Sequence, residues 1–425
     1  MWQKLEQIWK TPDLRNNILF VLACLAVFRL AAHLPIPGVD TIALRNFFAS
    51  NQLLGLLNIF SGGGLENFSV VMLGVGPYIT ASIIMQLLTM IVPRLEEINK
   101  DGEAGQRRIN QYTRYLTVPL AALQAYGFIV IFRNQGGARI IGQMDPWQLA
   151  ISILTITAGT IFLMWLGEIM SERKVGNGIS LLIFAGIVSS VPQKIQQTIV
   201  TFDPSQVFTI AAFLVIAVIT VVAVVVVTEA QRNIPVTYAR MVRGGNTYGG
   251  ATSYLPMRLL QAGVIPIIFA ISVILFPPMV AQFLAKSQAA WLVNAAQFTI
   301  NLFQNQIFYA VAYFVLVFGF TYFYTAVIFK PEQIAENLQK QGGFIPGIRP
   351  GASTIQFLAR TMNYIVLPGA LFLSLIAVLP LAMQAFTGSQ LLVIGGTSLL
   401  IVVSVVIETV RAINAQLVMR DYDEL

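Results

Sequence analysis

Few residues in this 425-residue chain could make or break bonds. It holds one histidine, His33, and one cysteine, Cys24. A structural zinc site takes about four His, Cys or carboxylate ligands, so these two argue against one. A single thiol allows no internal disulfide and says nothing of redox compartment. The sequence contains neither His-Glu-x-x-His nor Gly-x-Ser-x-Gly, which argues against an intramembrane hydrolase. Glu168, Glu229 and Glu408 fall at the ends of apolar runs, not at their centres. An ion-coupled transporter usually keeps an ionisable group near mid-membrane. Arg29 and His33 lie inside the first apolar run and read as snorkelling or packing residues, not as a proton relay. No catalytic residue, metal ligand or cofactor is therefore assigned. What remains is physical chemistry. Ile79 and Ile83 stand at i, i+4, as do Ile179 and Ile183, so each pair shares a helix face. Branched apolar faces of this kind, gathered around a constriction, exclude ions by dewetting.

The elements that carry these residues are membrane helices. The chain is 56% hydrophobic and 11% charged, and apolar runs recur along its length, which makes it polytopic. Ten spans are predicted: 18–36, the broken second span ending near 92, 113–132, 147–170, 179–191, 207–227, 259–280, 307–329, 364–386 and 391–407. The first is too long for a signal-peptide core and lacks a small-residue cleavage site, so it is expected to be retained. Before it, Trp2, Leu5, Ile8 and Trp9 share one face of a short interfacial helix.

The second span is the unusual one. The apolar segment Leu53 to Phe60 meets Ser61-Gly62-Gly63-Gly64, and a second break at Gly74-Val75-Gly76-Pro77 precedes a long apolar helix from Tyr78. Eight helical residues cover roughly 12 Å of a ~30 Å hydrocarbon core. Such a piece is tolerated only inside protein or beside an aqueous cavity, and broken helices mark transport pathways. The expectation is a short re-entrant element followed by a pore-lining helix.

Lys and Arg are distributed 20 to 5 between alternate connections, with Arg29 inside a span. By the positive-inside rule both termini are cytoplasmic. Ten spans divide into five and five, and an odd number per half inverts the second half. Gly74-Val75-Gly76-Pro77 and Gly263-Val264-Ile265-Pro266 echo each other at equivalent helices. The expected halves are 1–200 and 207–425, with a hinge connection at 201–206. Two long cytoplasmic connections stand out. The loop 229–257 carries the alternation Ile234, Val236, Tyr238 and then Gly244-Gly245, which predicts a short hairpin. The loop 330–362 opens with a polar helix over Pro331 to Gln341 and ends in a turn-rich tip, Gly342 to Gly351. Long loops in a compact protein are usually functional.

At these residues the chain resembles the SecY family, the central subunits of the bacterial protein-conducting channel. The resemblance covers nearly the whole chain. Its most specific stretches are Phe60 to Gly64, Pro77 to Ile84, Asp101 to Gly105, Gln111 to Tyr115, Gly176 to Ser180, Phe344 to Gly351 and Gly395 to Ile401. It implies an all-α membrane protein of ten transmembrane helices in two inverted five-helix halves, with a broken second helix supplying plug and gate. It implies a pore ring of Ile79, Ile83, Ile179, Ile183, Ile268 and Ile401. The plug would lie at about 57–67, centred on Asn58, Ile59, Phe60, Ser61, Gly62, Gly63 and Gly64. The second and seventh helices would form a lateral gate toward lipid, with Gln86, Thr89 and Gln261 as its polar positions. Arg232, Arg240, Arg243 and Arg349 would dock the ribosome or the SecA motor. The implied partners are SecE, SecG, SecA, the ribosome, signal peptides with their preproteins, and membrane lipid. The implied location is the bacterial cytoplasmic membrane, and no cofactor is implied. Three places depart from the family pattern: Asn233-Ile234-Pro235 follows Arg232 where relatives often carry adjacent basic residues, Leu260-Gln261 stands near a usual asparagine, and the tail after Arg420 is short and acidic. The alternative function is a secondary transporter, which also uses inverted repeats and broken helices.

Overall fold

A computed structural model describes residues 2–37, 39–40, 43–44, 58, 61–134, 145–200, 207–238, 241–243, 246–248, 252–261, 263, 265–285, 289–387 and 395–423. The first half runs α1 (Trp2–Lys10), α2 (Pro12–Ala32), α3 (Gly76–Ile91), α4 (Pro93–Lys100), α5 (Glu103–Asn134), α6 (Pro146–Glu172) and α7 (Gly178–Val200). After α8 (Val207–Glu229) come strands β1 (Gln231–Tyr238), β2 (Met241–Arg243), β3 (Asn246–Tyr248) and β4 (Thr252–Arg258). Then follow α9 (Ile265–Leu284), α10 (Ala290–Gln304), α11 (Gln306–Ile328), α12 (Pro331–Lys340), β5 (Gly343–Phe344), α13 (Ala352–Thr387) and α14 (Gly395–Asp423). Among the described residues, seven spans are long and apolar enough to cross a membrane, α3 with α4 makes an eighth if counted as one span bent by 101°, and α7 and α9 carry shorter apolar stretches. Each of these overlaps one of the ten predicted spans.

The differences from the sequence reading have local causes. The first span begins earlier, at Pro12, because proline needs no N–H partner in a first helical turn. The second span turns sharply at Val92, where Pro93 opens α4. Gly102 has a left-handed φ of 71°, and Gly105 sits against the Ile98 carbonyl. That explains the Asp101 to Gly105 stretch as the close turn between α4 and α5. The helix α7 continues through Pro192 to Val200. The helix α10 was not anticipated. It lies in the connection between two spans, buries Ala296, and leaves Trp291 and Phe298 exposed.

The two long loops form one body. β1 pairs antiparallel with β4, from Gln231↔Arg258 to Thr237↔Thr252. On its other edge β1 pairs with β5, through Thr237↔Phe344 and Tyr238↔Gly343. Ile234 and Val236 alternate inward, as a half-buried strand requires, and pack with Leu338, Ile345 and Leu358. The main core runs along the membrane helices through Phe28, Leu163, Ile183, Ile267, Val317, Leu373 and Ile401.

Candidate functional site

The site begins with how α7 starts. The Asn177 side-chain oxygen accepts from the backbone N–H groups of Ile179 at 3.0 Å and Ser180 at 3.3 Å, which caps the helix. Ser171 Oγ accepts from the Gly178 N–H at 2.8 Å. Gly178 lies against the Gly167 carbonyl with no space for a side chain, and a Cβ on Gly167 would stand 2.5 Å from Ile179 Cδ1. This glycine contact between α6 and α7 sets where Ile179 and Ile183 project. On the other two sides, α3 and α9 start alike. Gly74 and Gly263 have left-handed φ of 58° and 59°, each stands two residues before its helix, and each helix has proline as its second residue.

Two cavities meet among these helices. The larger, of about 410 Å³, opens on the face that carries Arg114 and Asn177 and is lined also by Tyr78, Gln86, Glu168 and Tyr324. Across its rim Arg114 Nε donates to Glu168 Oε1 at 2.8 Å. The smaller, of about 80 Å³, is bounded by Ser61, Leu65, Leu73, Val75, Gln124 and Phe128. Ile79, Ile183 and Ile268 line both cavities. These three side chains, from α3, α7 and α9, form the partition. The other expected ring positions lie elsewhere. Ile179 lines only the larger cavity. Ile83 is buried in the seam against Phe269 and Tyr324. Ile401 is fully buried in the helix core beside Leu400 and Val405 and lines neither cavity.

Under the partition sits the segment 61–75, a run of turns. Its near end is tied to itself: Asn58 Nδ2 donates to Glu66 Oε2 at 2.8 Å, and the Glu66 N–H donates to Asn58 Oδ1 at 2.9 Å. The Gly63 N–H donates to the Asn58 carbonyl at 2.9 Å, and Ser61 Oγ accepts from the Leu65 N–H at 3.1 Å. Gly62 and Gly63 both have positive φ, which glycine adopts without a Cβ penalty. Its far end is tied to the chain after α2. The Ile36 N–H donates to the Phe68 carbonyl at 2.9 Å and the Val70 N–H to the Leu34 carbonyl at 3.0 Å. The Phe68 ring is fully buried, edge-on to Phe132 at 6.1 Å. Of the expected plug positions, Asn58 and Ser61 to Gly64 have these places, while Ile59, Phe60 and residue 57 lie outside the described residues.

The seam between α3 and α9 is closed by Ile79, Ile83 and Leu87 against Ile265 and Phe269, with Tyr324 and Phe320 behind. Phe269 meets Tyr324 edge-on at 5.5 Å. The expected polar gate positions are partly satisfied in hydrogen bonding. Thr89 Oγ1 donates to the Gln86 carbonyl at 2.7 Å and Gln86 Nε2 to Ser82 Oγ at 3.3 Å. The side-chain oxygens of Gln86 and Gln261 are buried and have no hydrogen-bond partner among the described residues. Sequence reasoning could not find this, because a glutamine in an apolar run does not show what it faces.

The geometry is that of a channel whose apolar partition is backed by a packed segment, and comparison with known proteins decides which channel. The SecY family model matches residues 69–410. The protein translocase subunit SecY of Streptomyces galbus is 43% identical over 98% of this chain and 97% of its own. That of Halalkalibacterium halodurans is 42% identical over 99% of each chain. This chain belongs to the SecY family. Among solved structures, a SecY whose plug domain is described as stabilising the closed state of the translocation channel superposes with a TM-score of 0.62 at 18% identity, covering 96% of this chain and 92% of that one. Sec61 from the canine ribosome-channel complex gives 0.57 at 16% identity, over the same shares of the two chains.

The protein is thus a multi-pass SecY-family protein-translocation channel and not an enzyme. On the face that holds the three-stranded sheet, Arg232 and Arg349 are exposed. Arg349 sits in a turn flanked by Gly347 and Gly351, with left-handed φ of 81° and 99°, and its carbonyl accepts from Thr354 Oγ1 at 3.0 Å. Ile345 is buried and Ile348 half-buried, so they anchor this tip on the sheet. Arg240 lies outside the described residues, and Arg243 has its backbone in β2.

Proposed function

We propose that this SecY-family channel moves unfolded secretory polypeptides through the partition of Ile79, Ile183 and Ile268, and releases transmembrane segments sideways through the α3–α9 seam. The observation that carries the reading is that these three isoleucines line both cavities. A chain crossing from one cavity to the other must part them, and branched apolar side chains yield to a polypeptide while opposing hydrated ions. Ile83, Ile179 and Ile401 complete the ring when the helices move apart. Residues 57–67 act as the plug. The halves 1–200 and 207–425 hinge at 201–206, supported by the matching left-handed glycines before α3 and α9.

The face with the sheet is cytoplasmic, supported by the 20-to-5 bias of Lys and Arg, and both termini lie on it in the bacterial cytoplasmic membrane. Arg232, Arg240, Arg243 and Arg349 receive the SecA motor or the ribosome, which supplies the energy, and SecE and SecG complete the complex. The test is reconstitution of the chain in vesicles with SecE, SecG and SecA. ATP-driven protection of a preprotein from external protease is expected. Saturable binding of a small solute without preprotein protection would favour the transporter reading instead. Cysteines at Gln341 and Asn301 should react with an impermeant reagent from opposite sides, and labelling of Gln341→Cys from outside intact cells would overturn the orientation.

A further inference from the structure

We propose that Arg29 is the latch of the plug: its guanidinium holds the Gly62 carbonyl in the closed channel and releases it when the channel opens. Arg29 stands in the last turn of α2, inside a membrane span, where a cation needs a specific partner. Its Nη1 donates to the Gly62 carbonyl at 2.7 Å, across 33 residues of sequence. A hydrogen bond from an ionised donor in a part-buried site is among the strong ones.

The other side of Gly62 is fitted as closely. A Cβ there would stand 2.7 Å from Phe28 Cζ and 3.1 Å from the Gly186 Cα, and the φ of +68° is one that side chains rarely adopt. Gly62 is therefore wedged between α2 and α7 with Arg29 on its carbonyl. Ser61, one residue away, lines the cavity directly under the partition. The position of this carbonyl thus reports whether the seal is backed.

The segment changes its outside partners at about Asn67, while the Phe68 N–H to Leu65 carbonyl at 3.1 Å and the Ser69 N–H to Gly64 carbonyl at 2.9 Å still join the two sides. From Phe68 to Val70 it is joined to Leu34 and Ile36 by main-chain hydrogen bonds and by the buried Phe68 ring. From Asn58 to Glu66 it is cross-linked to itself by the paired Asn58 and Glu66 contacts and the Ser61 hydroxyl. A unit tied internally moves as a body. Held by a side chain instead of a strand ladder, it leaves its seat without breaking the main-chain pairing of Phe68 and Val70 with Ile36 and Leu34. Arg29 then stays behind as a donor at the edge of the opened path.

This inference rests on the reading of 57–67 as the plug, and the experiment separates the two. The reconstituted complex is placed in planar bilayers and the opening frequency without substrate is recorded, together with vesicle import of a preprotein whose signal peptide is weakened. Arg29→Leu should raise the opening frequency on the order of tenfold, as loss of a charge-assisted hydrogen bond implies, and should admit the weakened preprotein. Arg29→Lys, which keeps the charge and part of the donor set, should fall between. Gly62→Ala should act in the same direction from the opposite side of the contact. Wild-type opening and stringency in normally inserted Arg29→Leu would overturn the latch. If that variant does not accumulate, unchanged opening in both Arg29→Lys and Gly62→Ala overturns it equally. Deletion of 58–67 that leaks, beside a silent Arg29→Leu, leaves the plug and removes the latch. A deletion that does not leak removes both.

Discussion

Gly178 lies against the carbonyl oxygen of Gly167, so α6 and α7 touch backbone to backbone beside the pore. Any Cβ at Gly178 must push the start of α7 away, and with it Ile179 and Ile183. Gly178→Ala is expected to destabilise the folded channel by about 1–3 kcal/mol, the usual cost of overpacking. It should also raise ion conductance in planar bilayers. A normal melting temperature in detergent would show that the two helices can relax.

The isoleucines should separate into two classes. Ile183→Gly and Ile268→Gly widen the partition shared by the two cavities, so ion leak should rise. Ile401→Gly empties a fully buried site that lines neither cavity. It should lower stability, with an expected loss of about 2–5 kcal/mol as for large-to-small core changes, and leak less than the other two. Equal leak from all three, measured at equal protein in the bilayer, would place Ile401 in the constriction.

The buried side-chain oxygens of Gln86 and Gln261 have no hydrogen-bond partner among the described residues. An unsatisfied buried acceptor costs about 1–3 kcal/mol, and opening the seam to water or peptide relieves it. Gln86→Leu with Gln261→Leu should therefore hold the seam closed. Detergent stability should increase, and membrane insertion of a weakly hydrophobic transmembrane segment should slow. Faster insertion would contradict this account.

Arg349 projects from a turn shaped by its glycine neighbours, so its side chain is free to serve a partner. Arg349→Glu should block export of preproteins while leaving membrane insertion, detergent stability and partner-subunit binding near normal. Arg349→Lys keeps the charge but loses the planar fork that pairs carboxylate or phosphate bidentately, and should be intermediate or poor. Normal export by Arg349→Glu in reconstituted vesicles would exclude the docking role.

Much of this protein follows from the sequence by itself. Spans, basic connections and the breaks around Gly62 and Gly74 are set by hydropathy, charge and glycine over short distances, and each was legible for that reason. The hairpin was legible from the alternation at Ile234 and Val236. Contacts between distant segments were not. Arg29 reads as a snorkelling cation until Gly62, 33 residues on, is seen to accept from it. The two long loops read as separate until β5 joins the edge of β1. The helix α10 is only 15 residues long and is interrupted by Asn294, Gln297, Thr299 and Asn301, so its connection carried no span signal. Among six isoleucines alike in sequence, only packing chose which line both cavities. A side chain's type and period fix the face on which it stands; what stands opposite is decided when the helices close.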